Sequence, residues 1–332
     1  MKKKRLLIFI ILVISLTLPY LVIKKFSINI DEVVLLLKGS NKKPLIIAMG
    51  IDTIFILSYS LSLYYLYKIV VRNIRMLDVI KASIISWFIF NTMPFGFLTG
   101  DAVKIIYISR RYKKKIAHLV VSSTLQRIVS TTIFITIFLI SMIYTYLHFA
   151  NVSNNALITF IVIVLLTSIS IAIFSNEKLL EKFLRAIKFV KEKHIREILR
   201  AVNEAKKHKK NIMIASFFSA IHWMSGIFIP YVFLLSFGVK ISIPLLAVAY
   251  IFYSFIDNMP AVLPSNVGIH ESAMTTAFIL VGIDKNIAAT VTLLVRVITV
   301  VFEIGFTGII SYFLGIKEIK SYLRVKETNS SI

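Results

Sequence analysis

The chain has 332 residues, 58% of them hydrophobic, and a formal net charge of +23. Several apolar runs of about 18 residues or more exclude a soluble globular protein and predict a polytopic membrane protein. The basic residues gather at the ends of those runs, so the charge reads as the positive-inside pattern and attraction to an anionic lipid surface, with no nucleic acid as partner. With no cysteine, and six histidines scattered without ligand spacing, neither a metal nor a cofactor is expected.

Residues 2–18 open with Lys2, Lys3, Lys4 and Arg5 and carry no small-residue cleavage pattern, so they read as an uncleaved first span over about 6–23. The stretch 24–44, with Asp31, Glu32 and an apolar Val33–Leu37 group, is a short interfacial helix or a loop; its five lysines fit an external position poorly. A second span over about 45–67 follows Pro44 and carries Asp52. The basic loop with Lys68, Arg72, Arg75 and Lys81 is placed in the cytoplasm. Residues 82–93 supply only ~18 Å of helix against a ~30 Å hydrocarbon core. The chain then breaks at Pro94–Gly100 and turns basic at Arg110, Arg111 and Lys113–Lys115. Positive charge on both sides predicts a re-entrant hairpin over about 82–109, with a cavity to cover its irregular backbone. A long span over 116–147, an external loop at His148–Asn155 and a return span over 156–174 complete a first repeat, 45–174. A basic cytoplasmic linker helix occupies 175–210, with Glu177/Glu181, Lys178/Lys182 and Glu192/Arg196 at helical spacing.

The second half repeats this plan inverted, over 211–316. A span at 211–237 precedes a short apolar piece at 244–257, a break at Pro260–Gly268 and a half-length helix at 271–282. Together 244–282 form the second predicted hairpin. A final span at 288–314 leads to the basic tail 317–332, with Lys317, Lys320, Arg324 and Lys326. The predicted fold is thus all-α, with about six full spans and two re-entrant hairpins in an inverted-topology repeat, and both termini cytoplasmic. Such repeats place substrate near the midplane between broken helices.

The two breaks match in detail. Pro94 and Pro264 are each followed seven residues later by an acid, Asp101 and Glu271, so prolines and acids are both 170 apart. Arg127 and Arg296 follow those acids by 26 and 25 residues, deep within apolar spans. A charged side chain at such depth costs at least ~2.5–3.5 kcal/mol and asks for a reason. Guanidinium matches phosphate bidentately and stays charged when desolvated, so Arg127 and Arg296 are candidate head-group ligands. Pro94, Gly96, Gly100, Pro264 and Gly268 are the helix breaks, and the half-helix N-termini after Gly100 and Gly268 would aim N–H groups at the same place. Asp101, Glu271 and Glu303 either pair with the arginines, pinning each hairpin, or couple protons. Thr292, Thr299 and Glu303 fall with Arg296 on one helical stripe, and Thr124, Ser130 and Thr131 lie near Arg127. Asp52 and His222, also 170 apart, join Asp257, Thr131 and Thr299 as candidate cavity lining. His270 stands opposite Gly100 without an evident role. Trp87, Tyr64, Tyr65, Tyr67, Tyr107 and Tyr112 read as interfacial aromatic residues. No P-loop, GxSxG or HExxH motif is present, and no soluble catalytic domain fits the 35-residue central loop or the tail, so no enzyme is expected.

Pro94-x-Gly96-x-x-x-Gly100-Asp101, Gln126-Arg127, Pro264-x-x-x-Gly268-x-x-Glu271 and Arg296 resemble the lysylphosphatidylglycerol synthase transmembrane family, which includes archaeal dolichol-linked glycosylation proteins. The resemblance covers nearly the whole chain. It implies a flippase-like or scramblase-like protein that moves a phosphate-headed lipid, a phospholipid or polyprenyl-phosphate-linked lipid, between leaflets. The family usually has Glu before this arginine and an acid three residues after it; here Gln126 and Ser130 stand there. The aminoacyl-transferring domain of the full synthases is absent from this sequence, so synthesis of lysyl-lipid is not expected. Two other classes remain open: a non-transporting membrane subunit with a lipid-modifying or glycosylating enzyme as partner, and a proton-coupled small-anion transporter.

Overall fold

The computed structural model describes residues 17–93, 96–148, 176–186, 192–257 and 264–315. Most of the predicted first span, Pro94, the return span 156–174 and the tail 317–332 lie outside the described residues, as does the side chain of Asp257. Residues 17–26 are helical. Helices α1 (Ile30–Gly39), α2 (Lys42–Val70), α3 (Met76–Thr92), α4 (Gly96–Tyr112) and α5 (Ile116–His148) follow. Next come α6 (Glu177–Ala186), α7 (Glu192–Lys207), α8 (Lys209–Ser236), α9 (Ile243–Asp257), a 3₁₀ turn at Pro264–Asn266, α10 (Ile269–Leu280) and α11 (Lys285–Gly315). Four of these, α2, α5, α8 and α11, are long and apolar enough to cross a membrane. The molecule is an all-helical, multi-pass membrane protein.

Local chemistry sets the ends. Asn29 Oδ1 accepts the N–H groups of Asp31 and Glu32 at 3.0 and 3.3 Å, capping α1. Two acids in its first turn and Lys38 in its last suit the helix dipole. The stretch read as helix or loop is therefore a helix, and it is docked. Glu32 Oε2 accepts from Asn286 Nδ2 at 2.6 Å, and Asn286 Oδ1 accepts the Asn29 N–H at 2.9 Å, tying α1 to the start of α11. Asn41 caps α2, with Pro44 in the first turn where its missing N–H costs nothing.

Among the described residues, buried side chains form two clusters. One joins α8, α9, α10 and α11 with Ala48 of α2 and Phe134–Met142 of α5. The smaller one gathers Leu63, Tyr67, Val79, Ile105 and Leu119, where α2, α3, α4 and α5 meet. The most extensive helix contact is α2 with α8. Ser58, Ser60, Ser62 and Ser219 are buried there, and the Ser62 and Ser219 hydroxyls are 3.0 Å apart. Small residues let backbones approach where no hydrophobic force separates protein from lipid tails.

Several boundaries differ from the predicted ones. The first half-length helix begins at Met76 rather than 82 and has 17 residues, because Asp78 and Lys81 are compatible with helix although they end the apolar run. At ~25 Å it is still shorter than the hydrocarbon core. It packs along α4, as α9 packs along α10. Gly100 is not a break: α4 starts at Gly96, and Gly100 sits a turn inside it. A Cβ there would lie 2.7 Å from the Ser86 carbonyl oxygen, so glycine permits α3 and α4 to touch. The central linker is two helices, α6 and α7, with Arg185 paired to Glu181 at 2.9 Å and Glu192 at 2.7 Å. Within α11, residues Ile298–Phe306 are wound as π-helix.

Candidate functional site

The first polar centre lies where α4 meets α5. Asp101 Oδ2 accepts Arg127 Nε at 2.9 Å and also Arg127 Nη2. Its other oxygen, Oδ1, is 2.5 Å from Lys104 Nζ, one helical turn further on. Lys104 is 1% exposed and donates to Tyr59 Oη at 2.6 Å, its ammonium lying 5.1 Å from the Tyr59 ring centre. Two cations thus share one carboxylate. Lys104 is not among the residues singled out from the sequence; its i+3 spacing from Asp101 is the signal that could have found it.

The second centre is built on the Pro264–Gly268 turn. Ser265, Asn266 and Gly268 have φ of 53°, 49° and 85°, a left-handed run that only glycine adopts without cost. Arg296 holds it. Its Nε lies 2.7 Å from Glu271 Oε1 and its Nη2 donates to the Ser265 carbonyl at 2.8 Å. Glu271 Oε2 in turn accepts the Gly268 N–H at 2.6 Å, capping α10. The arginine–acid pairs Arg127–Asp101 and Arg296–Glu271 are thus both formed.

From this turn a hydrogen-bonded line runs inward. Ser265 Oγ donates to Asn91 Oδ1 at 3.2 Å, and Asn91 Nδ2 donates to Glu303 Oε2 at 2.9 Å. Trp87 Nε1 reaches the same oxygen at 2.7 Å. Glu303 sits on the π segment and lines the same cavity as Asp52 of α2. Asp52 is 1% exposed, and its Oδ2 is buried without a hydrogen-bond partner among the described residues. His222 Nδ1 lies 2.9 Å from the Phe55 carbonyl, which can only accept, so the proton is on Nδ1. These groups surround a cavity of about 150 Å³, the volume that holds one benzene-sized molecule.

Of the residues chosen from sequence, Asp52, His222, Arg296, Thr299 and Glu303 line this cavity; Arg127, Asp101, Glu271 and Thr131 do not. Thr131 is exposed on α5, while its neighbour Ser130 is buried and accepts Trp223 Nε1 at 3.0 Å. One residue is about 100° of helix, enough to turn a hydroxyl from the bundle to its outside. The predicted stripe on α11 also divides: Thr292 meets Thr275 of α10 at 3.1 Å, away from the cavity, and π winding adds a residue per turn before Glu303. Trp87 and Tyr67 are not interfacial anchors. Trp87 lines the cavity, and Tyr67 is fully buried with its hydroxyl 2.8 Å from Ser123 Oγ. Tyr112 does sit at a helix end, accepting the Arg75 N–H at 2.8 Å and donating to Asp78 at 2.7 Å. Desolvation, and then the Asp78 carboxylate, push its hydroxyl above the ordinary value against the Arg75 N–H. His270, without a role in the sequence reading, is buried and lines the cavity.

The family model for the lysylphosphatidylglycerol synthase TM region matches residues 7–305, a range that contains both centres and the cavity. The chain belongs to this family. It is similar to a UPF0104 membrane protein of Pyrococcus horikoshii, 25% identical over 320 residues that cover 88% of this chain and 92% of the relative. A UPF0104 membrane protein of Methanocaldococcus jannaschii is 24% identical over 288 residues, covering 82% and 85%. Among the described residues no group of three or more His, Asp or Glu side chains could hold a metal.

The centres are neighbours through Tyr59. Its hydroxyl holds Lys104, while its ring lies 5.5 Å from the rings of Trp87 and His222, which line the cavity. A charge at Asp101–Lys104–Arg127 is therefore one aromatic residue away from the cavity wall.

Proposed function

We propose that this protein moves a phosphate-headed lipid between leaflets, as a flippase-like or scramblase-like carrier rather than an enzyme. The observation that carries the reading is the Asp101–Lys104–Arg127 centre, two cations on one carboxylate, with Lys104 fully buried. Guanidinium and ammonium groups gathered in a largely desolvated place suit a phosphate anion, which they meet with charge-assisted hydrogen bonds. Arg127 keeps 34% of its side chain exposed and is the face of the centre that a phosphate could reach. Arg296, by contrast, is committed to Glu271 and Ser265 and serves first to hold the turn beside the cavity. In this reading the α3–α4 and α9–α10 pairs are re-entrant hairpins dipping from opposite leaflets, with both termini cytoplasmic. Rocking of two inverted halves carries the head group while its tails stay in lipid. Paired charges replace the water that the phosphate gives up.

The test is head-group movement of a labelled phosphodiester lipid in proteoliposomes. Losing one charge-assisted hydrogen bond of about 1.5–3 kcal/mol predicts that Lys104→Met slows movement roughly tenfold to hundredfold, and Arg127→Gln likewise. Unchanged rates in both variants would remove the reading. A soluble enzyme that co-purifies while no lipid moves would establish an anchoring subunit instead, and phosphate or chloride flux without lipid movement a small-anion transporter.

A further inference from the structure

Two carboxyl groups line the cavity, whose wall is one aromatic residue away from the Asp101–Lys104–Arg127 centre where the reading above places the phosphate. Asp52 and Glu303 are 1% and 8% exposed and line the same cavity of about 150 Å³. Two buried carboxylates lining one small space repel each other, which favours a proton on one of them. Neither acid is in a salt bridge among the described residues, although His270 acts on Glu303 electrostatically. Arg296, the cation lining the cavity, is held by Glu271 and the Ser265 carbonyl. Glu303 Oε2 takes two neutral N–H donors, Trp87 Nε1 and Asn91 Nδ2. Asp52 Oδ2, buried and unbonded among the described residues, completes a site with acceptors in excess of donors.

We infer that Asp52 and Glu303 form a proton-binding site in the cavity, holding one exchangeable proton between them that is linked to occupancy by a phosphate anion.

The surroundings agree. The titratable and charged groups that line the cavity with the pair are His222 from α8, Tyr250 and Tyr253 from α9, His270 from α10 and Arg296 from α11; α3 contributes the neutral Trp87 and Asn91. An anion bound at the neighbouring Asp101–Lys104–Arg127 centre is opposed by each negative charge on the pair and favours the protonated form. By linkage the proton favours the anion equally. Above the titration of the pair, affinity for a phosphodiester then falls by about tenfold per pH unit, the limiting slope for one linked proton. The linkage rests on the phosphate-carrier reading; the proton site itself does not.

Both tryptophans of the chain, Trp87 and Trp223, line the cavity, which supplies the assay. In the full chain in lipid nanodiscs, Trp223→Phe leaves Trp87 as sole emitter, bonded directly to Glu303. Its emission is expected to follow pH as a one-proton curve that disappears in Asp52→Asn and Glu303→Gln and persists in His222→Gln and His270→Gln. The pH-difference infrared spectrum of the unaltered protein, which needs no variant, is expected to contain a carboxylic-acid C=O band. A spectrum without that band overturns the site, as does a Trp87 curve that survives both carboxyl variants. Dihexanoyl phosphatidylglycerol, a phosphodiester that does not titrate near neutrality, then tests the linkage. Affinity falling about tenfold per pH unit supports it, and affinity independent of pH overturns it. No binding at any pH, with the infrared band intact, removes the phosphate-carrier reading and leaves the proton site standing.

Discussion

Replacing Arg296 with methionine strikes the turn at Pro264–Gly268 through a single side chain. The guanidinium lies 11% exposed between Glu271 Oε1 at 2.7 Å and the Ser265 carbonyl at 2.8 Å. Breaking a buried ion pair by removing one partner costs about 3–5 kcal/mol. Glu271 is 20% exposed and keeps the Gly268 N–H, so the expected loss is at the lower end, about 3 kcal/mol. The turn it supports has two non-glycine residues at positive φ, each costing about 1–3 kcal/mol. Once the arginine is gone, that strain has a route to relax. Unfolding in mixed micelles should show Arg296→Met and Glu271→Gln each destabilising. The double variant should be milder than the sum, with a coupling of about 1.5–3 kcal/mol. Hydrogen exchange at 266–271 should quicken in Arg296→Met before the rest of the chain responds. Effects that add to within about 0.5 kcal/mol, with unchanged exchange at the turn, would refute the assignment of Arg296 as its fastening.

Gly100→Ala places a methyl group 2.7 Å from the Ser86 carbonyl oxygen, and should destabilise by about 1–3 kcal/mol while loosening α3 from α4. Gly50→Ala in α2 meets nothing within 4 Å and should be neutral or stabilising by up to about 1 kcal/mol, read in the same unfolding assay. Asn29→Ala removes the cap of α1, with a local cost of about 1 kcal/mol seen as faster exchange at 31–33. Arg185→Ala breaks two exposed pairs on α6 and α7 and should change stability by less than about 1 kcal/mol.

How far the sequence carried depends on how local each cause is. Long apolar runs, the proline–glycine breaks and the resemblance led directly to a multi-pass helical protein of this family. The Arg–acid pairs were legible because a charge deep in a span demands a partner, and a 170-residue repeat named the acids. Lys104 was not singled out, since burial, not sequence position, decides its role. The Trp87–Glu303–Asn91 contacts join residues more than 200 apart, which no spacing rule reaches. Ser130 and Thr131 differ only in which way one step of helix turns, and Gly100 read as punctuation when it is a contact. The π winding left no mark in the apolar pattern at all.

That winding decides which face of α11 meets the cavity. Each turn of Ile298–Phe306 holds about one residue more than the α-helical turns before it. Side chains beyond Val297 are therefore rotated about the axis from where unbroken α winding would set them, and Glu303 comes round to Trp87 and Asn91. Lys285–Val297 meanwhile keeps the ordinary pitch that docks it against α1 and α10.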